Sequence, residues 1–97
     1  MRNNQTLYKT DQFKLISHGN GWAYTFIDLN HMRSIWVQDS DASAFIYDLD
    51  GAQDANPHAT INAALTYMWR LYDDLAEPMV EPKDWPLIIS HAEMIRA

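Results

Sequence analysis

The chain has 97 residues, one domain's worth, and its 47% hydrophobic fraction excludes a disordered polymer, which has too little apolar surface to offset its ordering entropy. Cysteine is absent, which excludes disulfides, thiolate metal sites and cysteine nucleophiles and fits a cytoplasmic location. Thirteen acids against seven bases leave a net charge of −6, and the scattered Lys and Arg argue against direct nucleic-acid binding, which needs clustered cations.

The first six residues lack the apolar core of a signal peptide. The longest aliphatic run, Leu87-Ile88-Ile89, falls far short of the roughly 18 apolar residues that span a bilayer, so no membrane partner is expected. Without an internal repeat or a linker, residues 1–97 read as a single domain.

Residues 12–17 suit a strand. His18-Gly19-Asn20-Gly21 follows, and Asn-Gly is the usual chemistry of a tight hairpin turn. Residues 22–29 are rich in aromatic and β-branched side chains and predict the second strand. A loop at residues 30–32 leads to a third strand at 33–38. Asp39-Ser40-Asp41 reads as a turn, and residues 43–49 as a fourth strand. After a polar loop over residues 50–56, Asn56 is a good N-cap and Pro57 fits a first helical position.

The helix predicted from there runs to about Ala76. Ile61, Ala64, Leu65, Met68, Leu71, Tyr72 and Leu75 fall on one arc, with Asn62, Thr66, Arg70, Asp73 and Asp74 opposite. Pro78 stops it. Asp84 could cap a short last helix with Trp85, Ile88, Ile89, Ala92 and Ile95 on its inner face; a strand at residues 87–90 competes with it. The expected fold is α+β: a four-stranded antiparallel meander, then a long amphipathic helix and a short C-terminal helix packed on the sheet.

Phe45-Ile46-Tyr47-Asp48-Leu49-Asp50-Gly51, a hydrophobic strand running into Asp-x-Asp-Gly, resembles the first motif of the haloacid-dehalogenase-like phosphatases. The resemblance implies magnesium-dependent phosphotransfer with Asp48 as nucleophile and Asp50 as acid/base. It covers about seven residues of 97, and Ala52 stands where the family usually has Thr. The family also requires a longer parallel-sheet chain with further Ser/Thr, Lys and acidic residues. The plain alternative is a strand that ends in a glycine turn.

Asp48, Asp50 and Asp54 do not follow the calcium-loop order, because Gly51 comes after the second acid and residue 57 is Pro. His18, His31, His58 and His91 lack the helical spacing of a zinc motif, and no G-x-S-x-G element occurs. No catalytic residue, metal or cofactor is expected.

What remains is surface. Between Arg33 and Arg70 there is no Lys or Arg, yet five aspartates occur: Asp39, Asp41, Asp48, Asp50 and Asp54. With Trp22, Tyr24 and Trp69 they form the predicted partner-binding set, an acidic edge bordered by aromatics and facing a basic protein. Solvated turn aspartates and a helix flank are the simpler readings. By size and charge the chain is comparable to phage and mobile-element inhibitors of host defence, anti-CRISPR proteins among them, which implies a basic, nucleic-acid-handling partner. Both faces of residues 22–29 are apolar, so either the C-terminal segment covers the second face or it docks a partner or a second copy as a homodimer.

Overall fold

The structure, a computed structural model, describes residues 4–19 and 21–79. Strands β1 (Asn4–Lys9), β2 (Phe13–His18), β3 (Ala23–Asp28) and β4 (Arg33–Gln38) pair antiparallel in chain order, and the two-residue β5 (Glu77–Pro78) extends the β4 edge. Helices α1 (Ser40–Ala55) and α2 (Ile61–Tyr72) follow β4, and a 3-10 turn (Asp73–Leu75) closes α2. The fold is therefore α+β: a meander of four strands with helices packed on it, as expected.

The strands are not all the expected ones. The first is β1, within a segment that the sequence reading left unassigned. Its register shifts between Thr6 and Tyr8, so that Tyr8 opposes Leu15 and packs on the helix-side core. Residues 43–49, expected to be the fourth strand, lie inside α1. A strand would bury Phe45, Tyr47 and Leu49 together. Burial falls instead on Ala42, Phe45 and Leu49, while Tyr47 is 77% exposed. These three-and-four-residue steps mark a helical stripe that the β-prone composition of Phe45-Ile46-Tyr47 disguises.

The chain leaves the sheet at Asp39, which adopts φ 55 and ψ −127. Its N–H bonds the Trp22 carbonyl at 3.0 Å, and its own carbonyl accepts the Ser43 N–H at 3.1 Å. Asp41 sits in the first turn of α1, where a negative charge suits the helix dipole. The loop expected at residues 50–56 is the end of this helix, and Asn56, expected to start a helix, closes one with its N–H on the Ala52 carbonyl. The next helix starts later than predicted, at Ile61, because Thr60 is the cap: its hydroxyl accepts the Ala63 N–H at 3.1 Å. The short helix or strand expected after Asp84 lies outside the described residues.

The hairpin between β2 and β3 is present as predicted, closed by the His18–Ala23 pair. Gly19 and Gly21 take φ 60 and φ 95. A Cβ at Gly21 would also sit 3.2 Å from the Tyr24 hydroxyl, so this position needs glycine twice over.

Alternation along β3 splits the core. Tyr24 and Phe26 face the helices, where Phe45 and Leu49 of α1 and Leu65 and Met68 of α2 are buried against them. Ile16 and Ile27 point to the other face and pack with Met79 and Leu29. Every residue of β3 is buried, whereas Trp22, just before it, is about half exposed.

Because α1 buries Phe45 and exposes Tyr47, truncations there separate helix from strand. Phe45→Ala is expected to cost about 3–5 kcal/mol, and Tyr47→Ala within about 0.5 kcal/mol, in urea unfolding. Comparable losses at both positions would restore the strand.

Candidate functional site

The two helices lie side by side because both seat an aromatic on Phe26. The Phe45 ring of α1 meets it edge-on at 5.6 Å, and the Trp69 indole of α2 does the same at 5.2 Å. A hydrogen bond ties the helices together: the Tyr72 hydroxyl donates to Asp48 Oδ2 at 2.8 Å.

Beside this contact the helices leave a groove of about 660 Å³. Four-residue steps line up Tyr47, Gly51 and Ala55 on α1 and Ala63, Tyr67 and Leu71 on α2. Small residues thus leave room between projecting rings. Tyr47 is 77% exposed, Tyr67 52% and Leu71 49%, an apolar patch displayed to solvent.

The charge around the groove is one-sided. Asp48 lines it. Burial pushes the Tyr72 hydroxyl up to about 12, reinforced by its bond to Asp48 and by the charges of Asp48 and Asp41. Asp54 is exposed near the opposite end of α1. The two helices carry a single base, Arg70, which lines a different pocket on the other flank of α2.

No protein-family model, curated protein or solved structure matches this chain. What the site can do therefore follows from its geometry.

The structure distributes the predicted partner-binding residues over several surfaces. Asp39 is the corner between β4 and α1, and Asp41, Asp48, Asp50 and Asp54 ride on α1. Asp41 and Asp48 act together on Tyr72, whereas Asp50 acts on Tyr24, whose hydroxyl is raised first by burial and then by that charge. Tyr24 is a core residue, 7% exposed, and unavailable to a partner. Trp22 is half exposed and meets Trp36 edge-on at 6.2 Å, away from the groove. Trp69 is a half-buried flank packed on Phe13 and Phe26.

The strand that the phosphatase resemblance requires is a helix here. Asp48 and Asp50, two residues apart, are about 200° apart around it and do not converge. Among the described residues no three His, Asp or Glu side chains gather as a metal site. His18 bridges Asn4 and Thr25, His31 faces Asp28, and His91 lies outside the described residues.

Sequence reasoning missed Tyr47, Gly51, Tyr67 and Leu71 as site residues. One signal was present. The apolar arc predicted for this helix is wider than a single buried face, and its excess, Leu71 in α2 and Leu75 in the 3-10 turn after it, is about half exposed.

Gly51 sits inside α1 without a positive φ, and a Cβ there would meet nothing within 4 Å. Gly51→Ala should therefore stabilise the fold by about 1 kcal/mol, raising Tm by roughly 4–8 °C in a calorimetric scan.

The tyrosines predict an alkaline limit. A hydroxyl whose folded pKa is raised contributes stability that is intact below the unfolded value of 10.0 and lost as pH climbs through about 12. Urea midpoints should fall between about pH 9 and about pH 11.5, and Tyr72→Phe should flatten that fall.

Proposed function

We propose that this chain is a non-enzymatic binding protein whose groove between α1 and α2 receives a basic amphipathic helix from a protein partner. The observation that carries this reading is the exposed apolar groove with the Asp48 carboxylate in its lining, on a helix that also carries Asp41, Asp50 and Asp54 and no base. Tyr47, Tyr67 and Leu71 supply area for the partner's apolar face, and Gly51, Ala55 and Ala63 let a backbone approach. Asp41, Asp48 and Asp54 supply charge that speeds encounter with lysine or arginine and fixes register. The separation of Asp48 from Asp50 around the helix supports binding over phosphotransfer.

A partner of this chemistry is found among proteins that handle nucleic acid, and an inhibitor from a phage or mobile element acting on such a host protein is the biological setting we propose. The cysteine-free composition supports a cytoplasmic setting. No described helix is long and apolar enough to cross a membrane.

The test uses two labelled helical peptides, each with leucine along one face and with either lysine or glutamate along the other. Fluorescence anisotropy should show the lysine peptide binding at least tenfold more tightly than the glutamate peptide, and weakening as salt shortens the screening length from about 10 Å toward about 3 Å. Gly51→Leu, which projects into open space, should leave the fold intact and abolish binding. Equal binding of both peptides, or a Gly51→Leu protein that binds like the parent, would overturn the reading.

A further inference from the structure

The opposite flank of α2 builds a second site that the groove does not use. Asn62, Thr66, Trp69 and Arg70 share that flank, above the ends of β2, β3 and β4. Here a pocket of about 430 Å³ is lined by Gln12, Phe13 and Arg33 with Thr66, Trp69 and Arg70, and His31 and Asp28 sit at its side. We propose that this pocket binds a small planar organic oxyanion, a carboxylate or a phosphate ester, held by Arg33 and Arg70 with its ring against Trp69.

Three observations carry the assignment. First, the arginines lack carboxylate partners among the described residues, in a chain with nearly twice as many acids as bases. Arg33 spends one N–H on the Ala76 carbonyl at 3.3 Å, and Arg70 makes no hydrogen bond or ion pair there. Guanidinium forks with free N–H groups match the paired oxygens of a carboxylate or phosphate.

Second, the one acid at the pocket is already satisfied. Asp28 is 6% exposed, and its carboxylate accepts the backbone N–H groups of Asn30 and His31 and the His31 Nδ1–H at 2.8 Å. A carboxylate has no proton to give, so Nδ1 is the donor. Asp28 faces Arg33 across the β3–β4 pair, yet no ion pair between them forms. The local turn consumes the carboxylate and leaves the guanidinium for a ligand.

Third, the wall is aromatic and rigid. Trp69 is held at 6.0 Å from the Phe13 ring and 5.2 Å from Phe26, so it offers a planar surface without first being ordered. A preformed apolar wall beside a few convergent polar groups is the usual anatomy of a small-molecule site.

The probes are benzoate, phenyl phosphate, inorganic phosphate and benzyl alcohol, titrated into the intact chain while Trp69 is followed by its indole N–H signal in NMR. Benzoate or phenyl phosphate should shift that signal saturably with a Kd at or below about 1 mM. Which of the two binds more tightly distinguishes a carboxylate from a phosphate ligand. Arg70→Gln, an exposed substitution that leaves the core alone, should weaken binding at least tenfold, and benzyl alcohol should not bind. The proposal falls if neither aromatic anion saturates, if Arg70→Gln binds like the parent, or if inorganic phosphate or benzyl alcohol binds as tightly as the aromatic anions. Gly51→Leu, on the other flank of α2, should leave this titration unchanged, so the two sites fail independently.

Discussion

Phe26 is the point on which the arrangement turns. It is 1% exposed in the middle of the central strand, and an aromatic from each helix lies edge-on against it. Phe45 continues outward to Tyr24 on one side and Tyr72 on the other, at 5.9 and 5.1 Å, so one connected set of rings joins sheet and both helices. Such rings bury large areas and prefer tilted contacts, which sets both the spacing and the rotation of the helices. Once Phe45 and Trp69 are seated, the residues that each helix turns toward its neighbour and toward solvent are decided.

The consequence for α2 is two unlike flanks. One carries Ala63, Tyr67 and Leu71 toward α1 and yields an apolar groove beside Asp48. The other carries Thr66 and Arg70 around Trp69 and yields a pocket lined by Arg33 and Arg70. A helix of twelve residues thereby separates two surfaces of opposite charge. Steering by charge would direct a basic chain to one and an anion to the other.

The aspartates show how spacing along the chain and proximity in space part company. On a strand, Asp48 and Asp50 would share a face; on α1 they diverge, one bonded to Tyr72 and the other acting on Tyr24. The same conversion brings Asp48 and Asp41 onto one tyrosine although seven residues separate them in sequence. The α1 carboxylates are thus spread over a helix surface, and among the described residues they gather into no cluster for a cation.

Local patterning determined much of this protein. The β2–β3 hairpin was legible because glycines at its turn permit positive φ, strands β2 to β4 because aromatic and β-branched residues crowd them, and the existence of α2 because its apolar residues recur at helical spacing. Composition alone indicated an acidic chain apolar enough to form a packed core. Residues 43–49 were misread because Phe, Ile and Tyr suit either state, and only packing against Phe26 selected the three-and-four-residue stripe over alternation. Strand β1 has little apolar content of its own and forms because β2 offers it an edge. The groove and the arginine pocket were beyond the sequence for the same reason: each is the space left between elements, and that space exists only once tertiary contacts have fixed how far apart those elements stand and which flank each one shows.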